Sequence, residues 1–162
     1  MAAGEDVFDR VRRKMVAARI EFMGQLATFG KKELAAQEGE KSAIYISHLL
    51  YIIDGLALEQ MRRVQEEEDP LLENLAERVP EIVRDTPPPR SLEAVLGGMV
   101  ARREEMFEYL ASLSATAWER PFHQREWGAR QFYQLVSMLP LYDQQHTHQL
   151  LALKAAQESQ ET

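Results

Sequence analysis

The sequence predicts an all-α protein, a four-helix bundle with uneven connections, and two observations predict it. Apolar residues recur at spacings of three and four nearly throughout, while β-branched runs alternating with polar residues are absent. Four such stretches, each of roughly twenty residues or more, lie between glycine, proline and polar breaks, and that is the length of a bundle's members. The 162 residues are read as a single domain, 1–162, long enough to bury a core without staples.

The first helix is predicted over 6–29, with Phe8, Val11, Met15, Ala18, Phe22, Leu26 and Phe29 as its stripe and Gly30 as its stop. A polar stretch follows, with a short helical turn expected at 33–37. Ser42 is an N-cap residue for a second helix reaching about residue 65. That helix carries Ile44, His48, Tyr51, Ile52 and Leu56 inward, and Gly55 thins the stripe where a neighbour can approach closely. Pro70 ends it, and a short extra helix is predicted over 71–79, between helices two and three. Pro87-Pro88-Pro89 breaks the chain again, and Ser91 caps a third helix over 91–113. Residues 118–127 are expected as an irregular linker anchored by Trp118, Phe122 and Trp127. Gly128 then precedes a fourth helix over 129–157. Pro140 inside it should free the carbonyl of Val136 and kink the axis near Tyr142.

Composition narrows the chemistry. There is no cysteine, so disulfides, thiolate zinc sites, iron–sulfur clusters and a cysteine nucleophile are all excluded. The net charge of -7, with 26 acidic against 19 basic residues, argues against nucleic acid as a partner. No apolar run approaches a membrane span and no leader pattern opens the chain, so a cytoplasmic location is expected. The pairs Arg62-Arg63 and Arg102-Arg103 and the cluster Arg12-Arg13-Lys14 read as solvated faces. His123 reads as a surface or packing histidine.

Three of the four histidines lie in two apolar segments. On the last helix Phe132, Leu135, Leu139, Tyr142 and His146 share one face, whereas His148 points about 200° around the helix from His146. His48 lies on the inward stripe of helix two. A buried imidazole needs a partner for its proton or its lone pair. The bland outcome is a hydrogen-bonded core histidine, and the functional one is a metal site built across facing helices. A ferritin-like di-iron site needs paired Glu-x-x-His motifs, and the chain has none.

The segment from Ser42 through His48-Leu49 to Asp54, together with Tyr142-Asp143-Gln144-Gln145-His146-Thr147-His148-Gln149-Leu150, resembles the DinB/YfiT-like superfamily of four-helix bundles. The lead-in Trp118-Glu119-Arg120 and Gly128 are similar as well, and the resemblance covers essentially the whole chain. It implies a divalent metal, nickel or zinc, on one histidine of helix two and two of the last helix. His48 and His146 keep two of those places, and Tyr142 replaces the third histidine. A phenol is a poor ligand beside imidazole unless it ionises, and its reference pKa is near 10. Asp143 is offset from Tyr142 by about 100° and is assigned a supporting role.

Two functions follow from the resemblance. One is a metal-dependent enzyme of thiol-transferase or hydrolase type acting on a small molecule, with a low-molecular-weight thiol as a candidate substrate. In it His48 and His146 hold the metal, Tyr142 is third ligand or proton donor, and Asp143 assists. The other is a non-catalytic bundle in which His48, Tyr142 and His146 form a metal-free polar cluster, serving as a ligand- or partner-binding module. A homodimer is also implied.

Overall fold

The computed structural model describes residues 3–30 and 42–160. The turn expected at 33–37 lies outside the described residues. Four long helices form the bundle: α1 (Ala3–Leu26), α2 (Ala43–Glu66), α4 (Leu92–Ala111) and α6 (Leu139–Gln160), with the shorter α3 (Leu75–Asp85) and α5 (Phe132–Val136) between them. Arg19 meets Asp143, and Lys154 reaches the Thr28 carbonyl, so α1 and α6 run the same way. Asp54 meets Arg103 and Arg62 meets Glu105, so α2 and α4 also run together. No helix among the described residues is long and apolar enough to cross a membrane.

The caps fall where the sequence places them. Ser42 Oγ accepts from the Tyr45 amide at 3.0 Å, and Ser91 Oγ accepts from the Ala94 amide at 3.2 Å. Each satisfies one of the orphan donors at a helix start. The predicted stripe of α1 is buried from Val11 to Phe29, and Val95, Met99, Met106 and Leu110 are buried on α4. The extra helix exists but is shifted, because Asn74 caps it and Leu71–Leu72 is drawn into β1. Pro80 lies inside α3 rather than ending it.

The expected irregular linker is instead ordered as sheet. Pro121–Gln124 (β2) pairs antiparallel with Gly128–Gln131 (β3) and parallel with β1. The three-residue connection closes on Gly128 at φ 72°, a left-handed position that glycine adopts without a Cβ penalty. Gly128 therefore closes a hairpin and does not open a helix. Trp118 and Phe122 anchor the segment as expected, with Trp118 edge-on to Phe132 at 5.3 Å. Trp127 does not: it is half exposed at the hairpin tip, beneath the Arg130 guanidinium.

The fourth helix is likewise two helices. The chain turns at Ser137 and Met138, and Pro140 falls in the first turn of α6. There the absent N–H costs no helical bond. The predicted mid-helix kink is thus a break placed before the proline.

Apolar residues collect in two clusters. One gathers Met15, Met61, Met106, Leu110, Trp118, Phe132 and Leu139, and the other gathers Phe22, Leu26, Leu50, Met99 and Leu150. Tyr51 and Tyr142 pack against both. Between the clusters, each long helix contributes one charged side chain to the interior.

Candidate functional site

Those four side chains are Arg19 of α1, Asp54 of α2, Arg103 of α4 and Asp143 of α6. The Arg19 guanidinium donates to Asp54 at 3.0 Å and to both oxygens of Asp143, at 3.0 and 3.2 Å. Arg103 Nη2 donates to Asp54 and to Asp143, each at 3.2 Å. Two positive and two negative charges thus close a ring that touches every long helix. Both carboxylates are essentially without solvent contact. Burial alone would lower the Arg19 pKa, but the pull of Asp54 and Asp143 outweighs it and raises the value above the ordinary arginine range. Asp143 is therefore engaged by two guanidinium groups, which leaves it little freedom to act as a base. Arg103 is not on a solvated face, contrary to expectation, and lies instead on the core stripe between Met99 and Met106.

Arg102 is also drawn in. Its side chain crosses α2 at Gly55, where a Cβ would stand 2.8 Å from the guanidinium carbon. Arg102 Nη1 donates to the Tyr51 carbonyl at 2.9 Å, and its guanidinium lies 3.8 Å over the Tyr51 ring. Tyr51 in turn stacks on His48 at 5.8 Å between centroids. The close approach expected at Gly55 is thus made by an arginine that holds an aromatic pair in place.

His48 and His146 are both buried, and His148 is exposed, as helical phase requires. His48 Nε2 lies 2.8 Å from the Thr86 carbonyl, and His146 Nδ1 lies 2.7 Å from the Tyr142 carbonyl. A carbonyl only accepts, so those nitrogens carry the protons, and His48 Nδ1 and His146 Nε2 keep their lone pairs. Burial lowers the His146 pKa, while the Tyr142 carbonyl and Asp143 act against that shift. Tyr142 is partly buried, and burial raises its hydroxyl above the ordinary 10. Its main chain, not its hydroxyl, meets His146. No hydrogen bond or ring contact joins His48 to Tyr142 or His146 among the described residues. His123, in β2, pairs at the surface with Asp69 at 2.6 Å.

These residues meet the needs of a three-ligand metal only in part. A metal-binding imidazole usually donates its other ring N–H to a carbonyl or carboxylate, and both histidines have that arrangement. The third position holds a phenol that burial keeps protonated. Among the described residues, no group of three or more His, Asp or Glu side chains is placed to hold a metal ion. The donor set therefore does not fit a three-ligand centre.

No curated protein and no solved structure matches the chain. A family comparison does match it, over residues 11–150. That span takes in Arg19, Asp54, Arg103 and Asp143 as well as His48 and His146, so charge ring and histidines lie within one family segment. With this match covering most of its length, the chain belongs to the DinB superfamily.

Proposed function

We propose that this chain is a small-molecule-binding member of the DinB superfamily whose inner polar layer is held by ion pairs and not by a metal. The closed ring of Arg19, Asp54, Arg103 and Asp143 carries the reading. It engages both carboxylates that act on His146, Asp143 and Asp54, and ties all four long helices together. His48 and His146 each give their ring N–H to a main-chain carbonyl, as a buried donor must. Elemental analysis of the purified protein, before and after incubation with nickel or zinc, tests this directly. Content well below one metal per chain is expected, unchanged in His48→Ala and His146→Ala. Near-stoichiometric metal that both variants lose would overturn it.

A second reading is favoured by the carbonyl-oriented imidazoles: a metal-dependent enzyme in which His48, His146 and Tyr142 hold nickel or zinc. Any nucleophilic thiol would then come from a low-molecular-weight substrate, because the chain has no cysteine. Under this reading Tyr142→His raises metal affinity by supplying the third imidazole. No gain would mean that position 142 does not face the histidine pair. In either reading a homodimer through the exposed Val16 and Ile20 face of α1 is proposed, and sedimentation equilibrium measures it.

A further inference from the structure

His48 is 2 % exposed, and its Nε2–H donates to the Thr86 carbonyl at 2.8 Å. Thr86 is the C-cap residue of α3. A molecule can therefore meet that nitrogen only by displacing the end of α3. The helix is lightly held. Leu75 is its one buried residue, while α2, on which it packs, is buried along its length. Val79, Ile82 and Val83 form its apolar face and are only partly covered by the core. Pro80 lies within the helix, where it has no N–H for the Ala76 carbonyl and its ring crowds that carbonyl.

The polar ties to α2 sit at either end. The Gln60 amide donates to the Glu73 carbonyl at 2.7 Å just ahead of α3, and His48 holds Thr86 just past it. Between them Arg78 meets Glu59 at 3.0 Å at the surface, and such a pair contributes little. The two ends differ in their flanks. β1 pins Leu71 and Leu72 to β2, whereas Thr86 leads into Pro87-Pro88-Pro89, which carries no regular secondary structure.

We propose that α3 is a flap hinged at Glu73 and Asn74, whose Thr86 end lifts to admit a small molecule to His48 and is latched by the hydrogen bond to that imidazole. The inference rests on the ligand-binding reading above and supplies its route of entry. An eleven-residue helix off its support does not hold in water, so lifting melts it and exposes its amides.

Native-state hydrogen exchange on the full chain reads this opening. The amides of Glu81 to Asp85 should exchange about a hundredfold faster than the interior amides of α2, and independently of low urea. Pro80→Ala restores the missing helical bond at an exposed position and should slow them about tenfold or more. The same substitution should slow modification of His48 by diethyl pyrocarbonate by the same factor and leave the exposed His148 unchanged. Should Pro80→Ala not fold, the natural chain decides: as urea rises, His48 modification should follow the α3 amides and not those of α2. Amides of α3 that exchange only with those of α2 overturn the proposal. So does a His48 rate that ignores the α3 amides, since fraying of α3 alone would move the amides and not the histidine. Near-stoichiometric metal on the histidines would overturn the ligand-binding reading, whereas the α3 rates of chelator-treated protein would still decide the flap.

Discussion

At position 103 an arginine occupies the place where the stripe of α4 calls for another methionine or leucine. A buried guanidinium is tolerable only when carboxylates meet it, and Asp54 and Asp143 both do. Removing one partner leaves charge uncompensated. Asp54→Asn is expected to lower the unfolding free energy by roughly 3–5 kcal/mol, measured by urea denaturation. A loss under about 1 kcal/mol would match an exposed pair and contradict the burial. His146 gives a pH dependence of known sign. Burial holds its folded pKa below 6.5, the value the unfolded chain retains, so the unfolded state takes up the proton first as pH falls. Stability from this group is complete above about pH 6.5 and declines as pH falls through 6.5 toward the folded value. In chelator-treated protein the urea midpoint should drop over that window, and His146→Gln should flatten the slope. An equal slope in the variant would assign the dependence to another group.

At the scale of elements, what was legible in the sequence were features with a local cause. Ser42 and Ser91 cap their helices because their hydroxyls reach amides three residues on, and that is encoded by neighbours in sequence. The sheet is not legible as a whole, because β1, Leu71–Leu72, lies some fifty residues from the β2 strand it pairs with. In sequence Gly128 reads as the residue before a helix, but the three residues ahead of it form a hairpin loop. Gly128→Val should destabilise the protein by about 1–2 kcal/mol, the cost of a branched residue in left-handed backbone, with early loss of β2–β3 amide protection in hydrogen exchange. Uniform exchange across the chain would show that the hairpin does not open on its own. The candidate site was half legible. Helical phase separates His146 from His148, yet nothing local to Arg19 or Arg103 marks either as a partner of Asp143. The usable signal was a charge on each of four apolar stripes, two of either sign.

For the whole molecule, the charge ring divides the interior into two apolar clusters. Replacing all four members together, Arg19→Met, Asp54→Leu, Arg103→Met and Asp143→Leu, should leave stability equal or increase it, since buried ion pairs gain little over well-packed apolar residues. Urea denaturation checks that part. The expected penalty is in uniqueness, seen as broadened amide signals and dye binding by exposed apolar surface. Sharp signals in the fourfold variant would show that packing alone selects the native arrangement.

That last outcome bears on how the helices are set along one another. Leucine and methionine contacts are forgiving: a helix slipped by one turn still buries apolar surface. A guanidinium is not, because a slip of one turn, about 5.4 Å, would carry Arg19 out of reach of both carboxylates. The ring thus works as a vernier, and only one longitudinal setting of α1, α2, α4 and α6 aligns all four marks.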